Sequence, residues 1–296
     1  MILSIVRNKV KLTIFKGCDE VCFVVPTADV TGSNFSEFYR SATNQSSSIP
    51  TIVAVESRGN DFNFSKSVNA GITHIFRKYS VNKYICISND DVLIPHNFIY
   101  DMIKCVKSES KIGYITPIFE RNDQKVHNRV EMPNYTAVLF FTLFYRFLYL
   151  MKSFAFPLII KSRRLVQKIV NGTTVGSTTE RNLGMINSQP VCFIEKNKLE
   201  MIGLFDENFN NGCEDFDFAI RTYLLGLRVF VNTNVVAHDV GSGTIGKGGF
   251  NALYISIGND NGIRSSKNWS YLIQKYGRTQ YKKFLELSNN NSYYFC

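Results

Sequence analysis

The chain has 296 residues, of which 34 are Lys or Arg, 24 are Asp or Glu and 45% are hydrophobic, so its net charge is +10. This composition excludes a disordered chain, and the length allows one large domain or two small ones. The seven cysteines form no CxxC pair, which argues against a disulfide framework and a structural zinc site and predicts a cytoplasmic protein.

Strand and helix patterns alternate along the first half of the chain. Short apolar, β-branched runs predict strands at residues 21–27, 51–57, 84–95 and 112–119, and apolar side chains at helical spacing predict a helix at residues 64–76. This alternation is typical of βαβ units, so we expect a mainly parallel sheet. Ligands bind such sheets at the carboxyl ends of their strands, around a topological switch point.

Polar side chains follow three of the predicted strands at these ends. They are Thr27 and Asp29, then Glu56, and then the neighbouring carboxylates Asp90 and Asp91. Two adjacent carboxylates repel each other, and a Mg²⁺ or Mn²⁺ ion shared with substrate phosphates relieves that repulsion. No GxGxxG loop follows the first predicted strand, and the sequence has no GxxxxGK[ST] loop, so such an ion is the candidate holder of nucleotide phosphates. A helix cap is the alternative role for Asp91.

A second acidic group lies far along the chain. Glu214 and Asp215 open a helical pattern, and His238 ends a predicted strand. Carboxylates at a helix N-terminus are stabilised by the helix dipole without any catalytic role, and a lone His is often an ordinary surface residue. The residue pattern alone leaves a structural and a functional role open for this group.

Basic charge is concentrated in the middle of the chain. Residues 119–189 hold ten Lys or Arg and four Asp or Glu. Within them the aromatic, apolar stretch 135–160 is interrupted by Arg146 and Lys152, too early for a membrane span of about 20 residues. Residues 135–168 therefore predict either a peripheral contact with an anionic membrane or a buried helix with a basic end. Nucleic acid is not expected as a partner, because no nucleic-acid-binding motif is present.

Four sequence blocks occur in a characteristic order. They are PTAD (residues 26–29), FNFSKSVNAGI (62–72), ISNDDVLIP (87–95) and GLFDENFNNGCEDFDFAIR (203–221). The last block, with its Glu-Asp pair, is the most specific, and His238 follows it before the tetrapeptide GSGT. Together these blocks resemble the family 2 glycosyltransferases of the GT-A fold, in which ISNDDVLIP corresponds to the DxD metal motif. The resemblance covers about residues 21–246, with a lapse at 120–189.

The resemblance implies a role for each matching residue. Asp215 matches the catalytic base of the family, and Glu214 helps to place the acceptor. Asp91 is the implied metal ligand, and His238 matches a residue that contacts the metal or the diphosphate. Glu56 stands where an acidic residue contacts the base or ribose of the donor. The implied substrate-binding residues are Pro26, Thr27, Asp29, Glu56, Asn69 and Asp90.

The resemblance also implies the architecture. It is an α/β fold of the GT-A type, with a Rossmann-like, mainly parallel or mixed sheet flanked by helices and an aromatic, basic helical insertion. We expect one catalytic domain over residues 1–262, with a nucleotide-sugar half at 18–118, the insertion at 119–189 and an acceptor half at 190–262. Residues 263–296 are expected to form a helical tail, in which the helical spacing of Trp269, Leu272, Ile273 and Tyr276 predicts an amphipathic helix.

The implied reaction moves a sugar from a nucleotide-diphosphate sugar to an acceptor hydroxyl with inversion, assisted by Mg²⁺ or Mn²⁺. The implied acceptor is a glycan or a lipid-linked molecule, reached at the cytoplasmic face of a membrane if residues 135–168 contact lipid. Two alternatives stay open. A degenerate relative would bind a sugar nucleotide or glycan without turnover, and a nucleotidyltransferase would carry an Arg-containing phosphate loop that PTADVTGSN lacks.

Overall fold

The computed structural model describes residues 2–7, 10–57, 62–79, 83–121, 124–126, 129–131, 185–187, 191–240 and 260–289, with residues 135, 136, 139 and 143. The chain divides into two compact units. The first comprises Met1–Arg129, Ile186–Thr244 and Asn291–Cys296, and the second comprises Val130–Met185 and Ile245–Asn290. The predicted insertion and tail fall largely in the second unit, and every candidate site residue lies in the first.

The strands and helices follow one another as the alternating pattern predicts. The strands are β1 (Ile2–Arg7), β2 (Val10–Phe15), β3 (Cys18–Thr27), β4 (Pro50–Glu56), β5 (Tyr84–Ser88), β6 (Val92–Leu93), β7 (Ile112–Arg121), β8 (Gln124–Val126), β9 (Arg129–Glu131), β10 (Met185–Asn187), β11 (Val191–Glu195) and β12 (Arg228–Asp239). The helices are α1 (Ser33–Thr43), α2 (Phe64–Lys78), α3 (Phe98–Val106), α4 (Lys196–Ile202), α5 (Glu214–Leu224) and α6 (Asp260–Asn289).

One large mixed sheet organises the first unit. Its strand order is β1-β2-β4-β3-β5-β11-β7-β12-β6, with β8 paired to β7. The pairs β3–β4, β3–β5 and β7–β12 are parallel, whereas β11 runs antiparallel between β5 and β7. Helices flank this sheet, so the predicted α/β architecture is confirmed, with its parallel pairing confined to two parts of the sheet.

The continuous apolar runs become strands that are buried on both faces. Residues 21–25 of β3 have no exposed surface, and neither do residues 52–55 of β4. Helix α2 packs against these two strands through Val68 and Ile72, which are fully buried as their spacing predicts. Gly71 lies where α2 approaches the sheet most closely, since a Cβ placed there would be 2.6 Å from Val24 Cγ1.

An antiparallel hairpin precedes the first predicted strand. Strands β1 and β2 pair with each other, and β2 continues the sheet beside β4. The sequence analysis assigned no strand to these residues. The hairpin brings β2 alongside the end of β4, and therefore next to a candidate site residue.

The second unit contains α6, which the sequence analysis predicted as an amphipathic helix. Its expected apolar face is buried, with Trp269, Leu272, Ile273 and Tyr276 each less than 9% exposed. The helix contains one non-helical residue, Gly277, with φ 62° and ψ 178°.

The predicted membrane-contacting segment 135–168 lies outside the described residues except at positions 135, 136, 139 and 143. Among these, the ring of Tyr135 lies 6.0 Å from that of Tyr281 on α6. Across the part of the chain that the structure describes, none of the helices combines the length and apolar character needed to cross a bilayer.

Candidate active site

The carboxyl ends of β3 and β5 meet through a hydrogen bond between two predicted site residues. The hydroxyl of Thr27 donates to Asp90 Oδ2 over 2.6 Å, and the backbone N–H of Asp29 donates to Thr27 Oγ1 over 3.2 Å. Burial raises the pKa of Asp90, while the bond from Thr27 acts in the opposite direction. Asp29 Oδ1 accepts from the N–H and hydroxyl of Thr31, and Pro26 is buried within β3. Strand β3 therefore ends in a hydrogen-bonded turn, and the Thr27 hydroxyl at this end holds the acidic side chain that follows β5.

Glu56 ends the neighbouring strand β4. It is in register with Thr27 on one side and with Lys11 of β2 on the other. Lys11 Nζ lies 3.2 Å from Glu56 Oε2, and only 12% of the Glu56 side chain is exposed. The sequence analysis missed Lys11, which places a cation beside the acidic residue expected to contact the donor.

Asp91 and His238 are brought together by the pairing of two short strand ends. His238 is in register with Leu93 of β6, and the N–H of Val240 donates to the carbonyl of Asp91 over 3.0 Å. His238 Nδ1 also lies 3.2 Å from Glu120 Oε2 at the end of β7. A carboxylate beside one ring nitrogen orients the imidazole and leaves the other nitrogen for a ligand.

The donor chemistry of this corner fits a divalent ion. Asp91 offers carboxylate oxygens and His238 an imidazole nitrogen, which are donors suited to Mn²⁺ and, for the carboxylate, to Mg²⁺. Such ions are often held by one or two carboxylates together with substrate phosphates. Within the described ranges, no three side chains of His, Cys, Asp or Glu gather into one ligand group.

Glu214 and Asp215 stand at the start of α5, behind a tight turn with unusual backbone angles. Asn211 has φ 49° and Cys213 has φ 67°, both in the left-handed region that residues other than Gly rarely adopt. The N–H of Gly212 donates to Glu214 Oε2. The pKa of Glu214 is raised to about 7, first by burial and second by the negative charge of Asp215. The Glu214 carboxyl is therefore about half protonated near neutral pH.

Asn69 points from α2 into the loop that precedes α5. Its Nδ2 donates to the carbonyl of Phe205 over 2.8 Å and to Glu207 Oε1 over 3.0 Å, and its Oδ1 accepts from the N–H of Phe205 over 2.9 Å. The side chain is buried. Its amide is thus bonded at both ends within the protein, and its predicted contact with substrate stays a prediction.

Helix α2 joins the two acidic regions. It is the next element after β4 in the chain, and the hydroxyls of Ser57 and Ser67, 2.9 Å apart, connect the end of that strand to the first turns of the helix. The same end of α2 is bonded to the loop before Glu214. Asp215 is therefore held on the side of the sheet where β3, β4 and β5 end.

Two charged neighbours of the site were missed by the sequence analysis. Glu120 could have been predicted as a site residue, because it directly follows the apolar run of β7 and ligands bind at the ends of such strands. Lys11 carried no such signal, since only the pairing of β2 with β4 places it opposite Glu56.

Comparison with known proteins identifies the fold. No protein-family model and no curated protein matches the sequence. Among solved structures, GalNAc-T7 with UDP, GalNAc and Mn²⁺ matches with a TM-score of 0.50 and 9% identity, over 89% of this chain and 50% of that one. TarS 1-349 from S. aureus matches with a TM-score of 0.45 and 9% identity, over 75% and 60% of the two chains. The mannosyltransferase PcManGT from Pyrobaculum calidifontis, in complex with GDP-Man and Mn²⁺, matches with a TM-score of 0.45 and 11% identity, over 95% and 77%.

These likenesses are structural, at identities too low to transfer an activity. The chain spans 60% of the TarS chain and 50% of the GalNAc-T7 chain. The mixed sheet, its flanking helices and the match to GalNAc-T7 agree with the architecture that the sequence blocks implied. The chain has the GT-A fold.

Proposed function

We propose that this protein is an inverting glycosyltransferase of the family 2 type, which moves a sugar from a nucleotide-diphosphate sugar to an acceptor hydroxyl. The observation that carries the proposal is the convergence of two acidic groups on one edge of the sheet. Asp90 is bonded to Thr27 at the ends of β3 and β5, and α2 holds the loop before Glu214 and Asp215 on the same side. The family assignment is supported by the four sequence blocks, and the GT-A fold agrees with it.

The donor side of the proposed site consists of the strand ends. Glu56 is the candidate contact for the base or ribose, with Lys11 holding its carboxylate from the neighbouring strand. Asp91 and His238 would hold a divalent ion, which as a Lewis acid would stabilise the negative charge gained by the leaving diphosphate. Asp90, whose carboxyl is fixed by Thr27, is the candidate contact for the ribose or the donor sugar.

Asp215 is the candidate catalytic base. In the proposed step the acceptor oxygen forms a bond to the anomeric carbon as the bond from that carbon to the phosphate oxygen breaks. The acceptor proton passes to Asp215, and the nucleoside diphosphate leaves with the bonding electrons. The raised pKa of Glu214 supports this division of roles, because the protonated fraction of its carboxyl near neutral pH can donate a hydrogen bond to an acceptor oxygen.

The acceptor is proposed as a glycan or lipid-linked hydroxyl compound. The support is compositional, since the basic, aromatic residues 135–168 have the pattern of a segment that binds an anionic membrane surface. Co-sedimentation with vesicles containing about 30% anionic lipid tests this, because electrostatic binding should weaken as salt is raised from about 0.05 to 0.5 M. If the same fraction of the protein sediments with neutral and with anionic vesicles, a contact with an anionic membrane is contradicted.

The first experiment is a thermal-shift panel of sugar nucleotides, each with and without Mn²⁺. A ligand that binds the native state raises the melting temperature, so one nucleotide class should give a metal-dependent increase.

Transfer is then measured with that donor in wild type, Asp215→Asn and the control Glu37→Gln, which changes an exposed carboxylate of α1. Asp215→Asn should keep the thermal shift and lose at least about 100-fold in kcat. Full transfer by Asp215→Asn would refute its role, and donor binding without turnover in wild type would favour the degenerate binding protein.

A further inference from the structure

The start of α2 is capped by asparagines from two distant parts of the chain. Asn63, its own N-cap, accepts from the N–H of Lys66 and donates through Nδ2 to the carbonyl of Phe209 over 3.0 Å. Asn211 accepts through Oδ1 from the N–H of Phe64 over 2.8 Å and donates to the carbonyl of Phe62 over 3.1 Å. A residue of the loop before α5 therefore satisfies one of the free N–H groups at the start of α2.

Asn69 fastens the same loop one and a half turns further along α2. Its amide exchanges hydrogen bonds with both the N–H and the carbonyl of Phe205, as a neighbouring strand would. Phe205 also stacks on Phe218 of α5, with ring centroids 4.6 Å apart. The loop is thus held by α2 on one side and by the body of α5 on the other.

The turn at the end of this loop has a conformation that costs free energy. Asn211 and Cys213 both have positive φ, and each such residue costs on the order of 1 kcal/mol. Conformations of this kind persist only where the surroundings determine them. The two hydrogen bonds of the Asn211 side chain do so here, and the N–H of the next residue, Gly212, then points at Glu214.

We propose that Asn63, Asn69 and Asn211 are positioning residues, which fix the turn before α5 and so aim Glu214 and Asp215 at the acceptor. The inference rests on the proposed function, because it assigns the asparagines a purpose in the transfer reaction. None of the three is proposed to contact the reacting atoms. Their hydrogen bonds connect the helix that follows the donor strand β4 to the acid pair, so they set the distance between the two halves of the site.

The test compares Asn211 with an asparagine that makes a similar bond elsewhere. Asn211→Gly removes both hydrogen bonds and still allows positive φ, whereas Asn211→Asp keeps the acceptor for Phe64, loses the donor and adds a negative charge. The control is Asn232→Ala, because Asn232 is 2% exposed and donates from β12 to the carbonyl of Asp101 over 3.1 Å. Asn69→Ala and Asn69→Asp form a second pair in case Asn211→Gly does not fold.

Asn211→Gly should lower kcat by about 10- to 100-fold, while the thermal shift caused by the sugar nucleotide is retained. It should also move the limb of the pH–rate profile that reports the acid pair, since the Gly212 bond to Glu214 is loosened. Asn211→Asp should recover part of the activity, because it keeps the bond from the N–H of Phe64. Asn232→Ala should lose stability while its kcat stays within about twofold of wild type and its pH profile is unchanged. The inference would be overturned if Asn211→Gly and Asn232→Ala lowered kcat to the same extent and neither changed the pH profile.

Cys213 gives a readout that does not depend on turnover. Its thiol is free and 6% exposed within the same turn, so loosening the turn should admit a thiol reagent. Site-resolved mass spectrometry should show faster labelling of Cys213 in Asn211→Gly than in wild type or Asn232→Ala. Unchanged labelling overturns the inference. Labelling of Cys213 can respond as expected even if wild type transfers no sugar. That combination would refute the proposed function, and with it the catalytic purpose of the asparagines.

Discussion

Thr27 and Asp90 are 63 positions apart in the sequence, and the hydroxyl of the first donates to a carboxyl oxygen of the second over 2.6 Å. The contact exists because β3 and β5 are parallel neighbours, so their carboxyl ends lie side by side. Burial raises the pKa of Asp90 and the hydroxyl opposes this shift. The bond therefore favours the charged form of a carboxyl that the protein half-buries.

Thr27→Val keeps the shape of the side chain and removes both this donor and the acceptor for the N–H of Asp29. The free energy of unfolding should fall by about 1–3 kcal/mol near neutral pH, because a half-buried carboxylate loses a hydrogen bond. The pKa of Asp90 should rise further, so the loss should be smaller in acid, where that carboxyl is protonated. Urea unfolding at several pH values measures both effects.

Thr13→Val is the matched control on β2. The Thr13 hydroxyl is buried and has no hydrogen-bond partner among the residues that the structure describes. Replacing an unpaired buried hydroxyl by a methyl group should leave stability unchanged or raise it. If Thr13→Val and Thr27→Val lower the free energy of unfolding equally, the hydrogen bond to Asp90 does not contribute specifically to stability.

Glu214 should make stability depend on pH in the direction opposite to most carboxylates. Its pKa is about 7 in the folded protein against an ordinary value of 4.5, so between these values the native state binds more protons than the unfolded chain. The free energy of unfolding should therefore fall as pH rises through this window and level off above it. Urea titrations between about pH 5 and 8 test the slope.

Glu214→Gln removes the carboxyl while keeping an oxygen for the N–H of Gly212. Relative to wild type, this variant should gain stability as pH rises from about 5 to 8, because no buried charge forms in it. Glu37→Gln, at an exposed position of α1, should show no such trend. A constant difference between wild type and Glu214→Gln across this range would contradict the raised pKa.

Gly71→Ala should destabilise the first unit even though Ala favours helix. A Cβ at this position would lie 2.6 Å from Val24 Cγ1 and 3.1 Å from Val55 Cγ2, both in stiff, buried strands. Overpacking of this kind costs about 1–3 kcal/mol, which exceeds the gain in helix propensity of about 1 kcal/mol. Thermal unfolding should show a lower Tm. Adding Val24→Ala should cost less in Gly71→Ala than in wild type, and strictly additive losses would argue against a steric cause.

The pair of Asp217 and Arg221 holds α5 to the end of α4. Arg221 Nε donates to the fully buried Asp217 Oδ2 over 2.9 Å, and its Nη1 donates to the carbonyl of Ile202. Asp217→Ala leaves a largely buried cation without its carboxylate, so stability should fall by about 3–5 kcal/mol. The double variant Asp217→Ala/Arg221→Met should be more stable than Asp217→Ala alone. If adding Arg221→Met lowers the urea midpoint further, the ion pair is not what the first substitution breaks.

The sequence predicted the parts of this protein that depend on local pattern. Continuous apolar runs predicted β3, β4, β5 and β7, since a strand buried on both faces is apolar along its length. Helical spacing predicted the buried faces of α2 and α6. The rule that ligands bind at strand ends selected Thr27, Glu56 and Asp90, and the structure brings these residues to one edge.

Tertiary structure alone decided how these parts face one another. Strand β11 runs antiparallel between β5 and β7. The spacing of apolar residues cannot predict this pairing, because it indicates which side chains are buried and not which strand lies beside them. Register placed Lys11 opposite Glu56 and Glu120 opposite His238. The bonds of Asn69 and Asn211 cross 136 to 149 positions of the sequence. Apart from the Glu207 carboxylate, their partners are backbone groups, which every residue carries. The sequence therefore shows the asparagines, but only the folded chain identifies what they hold.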